Sequence, residues 1–246
     1  MIEPLTDTCR KEPDPRGPSR SKRGPVIILF TGKGTDESMT RKEEAYNYIK
    51  NEIILNHLHP NEVISENQIT EQLNMSRTPV REAIKELVAD GLVTFRGREN
   101  VVTPLTAADV QEVYELRSLL ETYALKKTIN IIPEEALDKL EGEFEQAYQA
   151  NDWDAYLDVD TRFHALITHL SGYQRLKQFL DILKAQTART RHVSSYNPHR
   201  MSRSIEEHKE IIKWIRQRNL DEAEKALAYH LQRVYDSVGA YLNYIN

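Results

Sequence analysis

The sequence predicts a mainly α-helical protein in two parts: a winged helix-turn-helix followed by an all-α helical bundle. Three observations predict it. Residues 39–104 hold three helical segments and then one short hairpin. From Pro104 to the C-terminus only helical periodicity is found. The third helical segment begins with polar and cationic residues, while its later apolar residues fall on one face.

The first helix is expected from about Thr40 to Asn56, with Ala45, Tyr48, Ile49 and Ile53 at helical spacing, before Pro60 stops it. Ser65 and Gln68 form a capping-box pair that opens a second helix over Ile69 and Leu73. After a break at Asn74-Met75, the third starts at Ser76, or at Thr78 with Pro79 in its first turn. It closes near Gly91. Two strands follow, Leu92–Phe95 and Val101–Thr103, joined by the polar Arg96-Gly97-Arg98-Glu99-Asn100.

Past Pro104, Thr106 and Asp109 cap a helix running through Val113, Leu116, Leu120 and Leu125. Pro133 opens the next, to about Ala150. Further helices are expected at roughly Asp152–Leu170, Tyr173–Ser195, Met201–Arg218 and Leu220–Tyr244. They share no fixed repeat period, which argues for a bundle and not a solenoid.

Residues 1–38 differ from the rest. Pro4, Pro13, Pro15, Pro18 and Pro25 alternate with Gly, Ser and charged residues, a composition expected to stay disordered ahead of Met39. Val26–Phe30 suits one short strand. The Gly32-Lys33-Gly34-Thr35 that follows is not a phosphate loop: that pattern needs Gly where Ile27 stands and Ser or Thr where Gly34 stands. The expected domains are therefore 1–38, 39–104 and 105–246.

Composition narrows the class. A single cysteine, Cys9, excludes an intramolecular disulfide framework and suits a reducing cytoplasm. No apolar run is long enough for a bilayer, and the N-terminus lacks the apolar core of a signal peptide. A net charge of -5 means that any nucleic-acid contact comes from a local basic patch.

Such a patch exists. In Ser76-Arg77-Thr78-Pro79-Val80-Arg81-Glu82-Ala83-Ile84, Val80, Ala83, Ile84, Leu87 and Val88 form the stripe that packs inward. Arg77 and Arg81 share another face, from which both can reach base edges or phosphates. Ser76 and Thr78 sit beside free backbone amides, suited to a phosphate. Arg96 and Arg98 on the wing would reach a neighbouring groove or backbone.

Met75–Val93 closely resembles the recognition-helix signature of the GntR family of bacterial regulators, and the resemblance extends over about Arg41–Pro104. It implies that Ser76, Arg77, Thr78, Arg81 and the wing contact operator DNA. Departures are Pro60-Asn61 where Pro-Gly is usual, one wing glycine (Gly97), and Glu66-Asn67 where a basic residue is often found.

The helical part carries a second pattern. Asp160 and His164 lie four apart on one helix and so share a face. His208 and His230 are each eleven residues from a turn near Asn219, so an antiparallel pair brings them level. Three imidazoles and one carboxylate suit a divalent transition metal such as zinc, nickel or manganese. His169 and His192 lack this placement and read as surface or core residues.

The blocks "DVDTRFHALI", "EEHKEII" and "AYHLQRV" resemble the metal-binding positions of the FCD effector domain, the helical partner of many GntR-type regulators. By that resemblance Asp160, His164, His208 and His230 are the ligands and a small carboxylate effector completes the sphere. Fatty-acyl-binding members lack this set, which argues against that ligand class. Arg117 and Arg189 would either pair with a second effector carboxylate or form exposed salt bridges.

The expectation is a cytoplasmic, homodimeric, non-enzymatic regulator, most simply a repressor, released from operator DNA by its effector. Two alternatives remain at this point. A metal hydrolase would need a positioned base, and Glu206 and Glu207 form no HExxH motif around His208. A purely structural metal would instead unfold the domain on removal.

Overall fold

The computed structural model describes residues 39–194 and 200–245. The expected N-terminal extension, with its Val26–Phe30 strand, lies outside the described residues, as does the His192 side chain.

Helix α1, Arg41–Ile54, starts where Thr40 and Glu43 cap each other's backbone amides. It turns Ala45, Ile49 and Ile53 inward. Helix α2, Glu66–Gln72, is capped by Ser65, which accepts from the Gln68 amide. Helix α3, Arg77–Ala89, begins at Ser76, the earlier of the two expected starts, and buries Val80, Ala83, Ile84 and Leu87. Gly91, at φ +70°, makes the left-handed exit that L side chains resist.

The wing differs in the extent of its strands from the sequence expectation. Strands β1, Val93–Arg96, and β2, Glu99–Val102, are antiparallel and pair Val93 with Val102 through Arg96 with Glu99. Only Gly97-Arg98 remains as the turn, with Gly97 at φ +67°. The polar stretch read as a loop thus continues both strands. Its side chains face water, so hydropathy gives no strand signal there, whereas the cross-strand Arg96–Glu99 pair, 3.6 Å apart, favours pairing. A bridge from Val63 to Val101 extends the sheet side of this head.

The second part consists of α4 (Ala107–Thr128), α5 (Glu134–Gln149), α6 (Trp153–His169), α7 (Gln174–Ser194), α8 (Arg200–Arg216) and α9 (Leu220–Ile245). Helix α4 opens on the expected Thr106–Asp109 capping box. Helices α8 and α9 pack against each other, and α9 also packs along α4. The bundle core is Leu125, Leu137, Phe144, Phe163, Ile167, Ile211, Ile212 and Leu227 with their neighbours. Burying side chains of this size contributes about 1.5–3 kcal/mol each before conformational entropy is counted.

Helix α7 joins the two parts. Ala185 is buried in the head's own core, with Ile49, Leu87 and Val93. The Gln186 amide donates to the carbonyl of Asp90, the C-cap of α3, at 2.7 Å. Arg189 donates to the linker carbonyl of Thr103 at 2.7 Å.

Candidate metal centre and nucleic-acid interface

At the head, Ser76, Arg77, Thr78 and Arg81 are all exposed on one end of α3. The Ser76 side chain makes no cap hydrogen bond, and no acidic residue occupies the first turn. That end therefore offers backbone N–H groups and a favourable dipole to an anion. Arg81 is engaged: its Nε donates to Glu66 at 2.8 Å, across from the start of α2. Arg96 and Arg98 are exposed on the wing, beside Phe95, whose ring is 62% exposed.

In the bundle, Asp160 and His164 project from α6, His208 from α8 and His230 from α9. One ligand atom from each lies within 4.8 Å of all the others. The ring centroids of His208 and His230 are 4.3 Å apart, those of His164 and His230 5.4 Å. The Asp160 carboxylate is 3.4 Å from His208 Nε2 and 3.8 Å from His164 Nε2. All four residues are buried.

Residues to which the sequence assigned no such role hold this arrangement. Glu121 on α4 meets His164 Nδ1 at 2.6 Å, and Glu207 on α8 meets His230 Nδ1 at 2.8 Å. An ionised carboxylate only accepts, so each Nδ1 carries the proton and each Nε2 keeps its lone pair. This is the arrangement found behind metal-bound histidines, where the outer carboxylate fixes ring and tautomer. Each glutamate is itself held by an arginine. Arg117 Nε donates to Glu121 at 2.7 Å, and Arg200 donates to both oxygens of Glu207 at 2.9 and 2.8 Å. Among the described residues His208 has no such carboxylate; it stacks on Phe144 at 4.5 Å and meets the edge of Phe163 at 4.9 Å.

The electrostatics follow. Burial lowers the His164 pKa despite Glu121 and Asp160, and pushes that of His230 well down, helped by His208 and His164. Both imidazoles are thus kept neutral and able to ligate. Burial works against the Glu121 charge, but Arg117 and His164 outweigh it and hold its pKa down at about 2. Among the described residues, His164 Nε2 and both His208 nitrogens have no partner in hydrogen-bonding geometry. Leaving such buried groups unsatisfied costs about 1–3 kcal/mol each. Three converging imidazoles and a carboxylate fit a borderline divalent cation, which would satisfy His164 Nε2 and one ring nitrogen of His208.

Of the two arginines expected at an effector, only Arg117 is beside the cluster, and it is buried, not in an exposed salt bridge. Arg189 is placed elsewhere. It is buried at the linker, where Asp109 at the start of α4 acts on it, so it is roughly 12 Å along α4 from the level of Arg117. Arg200 takes the place beside the cluster. Two small cavities flank the histidines, each with about 20 Å³ of room for water. Arg117, Arg200, Trp153 and Ser204 line one of them, with Asp160 and His230.

Comparison with known proteins yields two family matches. The family described as "Bacterial regulatory proteins, gntR family" matches residues 41–102, and the FCD domain matches residues 112–233. An uncharacterized HTH-type transcriptional regulator of Bacillus subtilis, YdhC, is 30% identical over 190 residues, covering 75% of this chain and 85% of its own. The HTH-type transcriptional repressor RspR of Escherichia coli K12 is 26% identical over 200 residues, covering 80% and 88%. Among solved structures, E. coli McbR/YncC superposes with a TM-score of 0.72 at 21% identity, over 84% of this chain and all of that one. At that identity the superposition shows shared fold alone.

Proposed function

Because this chain belongs to the GntR family of bacterial regulators and carries an FCD domain, it is a DNA-binding transcription regulator, and we propose that a small carboxylate, bound at a divalent metal in the bundle, controls its grip on operator DNA. Its fold and its relatives are those of transcription regulators, not enzymes. The carrying observation is the buried Asp160–His164–His208–His230 cluster with its unpartnered ring nitrogens.

In this reading, Asp160, His164, His208 and His230 hold the ion, with zinc, nickel and manganese all suited to the donor set. When bound, the ion supplies a Lewis-acidic point for one effector carboxylate oxygen. Glu121 and Glu207 orient His164 and His230, and the Phe144 and Phe163 rings position His208. At the head, Arg77 and Arg81 reach base edges or phosphates while Ser76 and Thr78 hold the backbone, with Arg96 and Arg98 on the wing.

The regulator works as a homodimer, presenting two recognition helices to two half-sites. Leu116, Leu119 and Tyr123, exposed on the outer face of α4, support a subunit contact through the bundle. Effector binding changes the packing of α4 and α7 and so the placement of the head, which requires only that the effector bind the two arrangements unequally. The outcome is release, making the protein a repressor, as the name of its E. coli relative states for that protein.

The test uses zinc-loaded protein and an operator duplex selected from a random pool, titrated with a panel of small carboxylates. At least one member is expected to weaken DNA binding, and His164→Ala should keep the DNA affinity but lose the response. An identical response from zinc-stripped protein would refute the metal-dependent control.

A further inference from the structure

Among the described residues, five charged side chains lie in or against the histidine cluster with little access to water. Asp160, Glu121 and Glu207 are negative, and Arg117 and Arg200 are positive. With neutral imidazoles the group carries one net negative charge. A divalent cation converts this into one net positive charge. An uncompensated charge in such a place costs several kcal/mol even after relaxation. The loaded site is thus short of a single negative charge.

We infer that the effector is a monocarboxylate whose remaining polar atoms are uncharged hydroxyls, and that the site rejects dicarboxylates. This rests on the metal reading above and adds the charge and class of the ligand. Two further observations point the same way.

The first is that the charge of each arginine is already matched by a carboxylate of this chain. Arg117 donates through Nε to Glu121, and Arg200 binds Glu207 through two parallel hydrogen bonds. A second effector carboxylate would meet these built-in carboxylates as like charges. Arg189, also buried, is at the linker and not at the cavity.

The second is that the cavity's other polar groups are neutral. Trp153 Nε1 is a buried donor with no partner among the described residues. It lines the same small cavity as Ser204 and Tyr156, whose hydroxyls are hydrogen-bonded to each other. These groups can donate to or accept from alcohol oxygens, and none brings a charge that a second carboxylate would need.

The experiment is calorimetric titration of the zinc-loaded full chain with two matched pairs: lactate against malate, and glycolate against tartronate. Each pair differs by one added carboxylate. The monoanion of each pair is expected to bind tighter by at least about tenfold. Glu121→Gln and, separately, Glu207→Gln each remove one negative charge, so each should move the ratio towards the dianion by about tenfold or more. Two variants are used because either can lose stability, and a melting curve identifies one that has. Dianions binding as tightly as monoanions to the wild type, or a ratio unmoved in both folded variants, would overturn the inference. Protein that takes up no zinc defeats the metal reading and this inference with it; zinc-loaded protein that prefers malate defeats this inference alone.

Discussion

In the proposed reading Arg81 serves two states. In the free protein its Nε is bound to Glu66, yet more than half of the side chain is exposed. An exposed pair of this kind contributes only about 0–1 kcal/mol, so DNA can take the guanidinium at little cost. Arg81→Ala is expected to weaken operator affinity by roughly 1–3 kcal/mol, read by fluorescence anisotropy at fixed salt. Unchanged affinity would remove Arg81 from the interface. Glu121 behaves oppositely, since its pKa falls from 4.5 to about 2 on folding. A carboxylate with a depressed folded pKa adds stability that is complete above the unfolded value and disappears as pH falls through the folded one. Glu121→Gln should therefore be less stable than wild type at neutral pH, and the gap should close between about pH 4.5 and about 2 in urea melts. At this scale the sequence was partly legible. Spacing alone aligned Asp160 with His164, and the shared distance from Asn219 aligned His208 with His230. Glu121 and Glu207 were not legible, because their histidine partners lie 43 and 23 residues away. A local trace was Arg117 four residues before Glu121. Arg189 was misplaced for a related reason: sequence does not say which buried surface an arginine on a long helix will meet.

Among the elements, α7 connects the bundle to the head. One stretch of it, Leu180 to Lys184, lines a cavity beside His164, and the next residues hold the end of α3 through Gln186 and Asp90. Gly91 sits at that contact, and an added Cβ would lie 2.9 Å from Gln186 Nε2. Gly91→Ala carries two penalties: the left-handed backbone, about 1–2 kcal/mol, and the close approach to Gln186. The melting temperature should fall, and in a Gln186→Ala background the same Gly91 substitution should cost less by the contact part, leaving the backbone part. No further fall on Gly91→Ala in that background would show that φ at this position is not strained. Helix positions were legible throughout because caps and apolar periodicity are local. Thr40, Ser65, Thr106 and Pro133 each mark a helix start where the structure has one. The wing was less legible, since strand ends whose side chains face water show no alternation.

For the whole molecule, the two halves have different physical foundations. The head is held by an apolar core and presents its cations outward, where sequence patterns display them. The bundle buries charges around its centre, so its stability should depend on what occupies the cluster. Bound metal is expected to raise the melting temperature of the bundle, and chelation to lower it without abolishing helical structure, since the apolar core remains. A loss of helical circular dichroism on chelation would instead indicate a purely structural metal. The measurement that bears most directly on the central claim is elemental analysis of the purified protein beside a His164→Ala variant. About one transition-metal ion per chain in the wild type, absent from the variant, is the predicted result. Wild-type protein that holds no metal and takes none up on addition would contradict it.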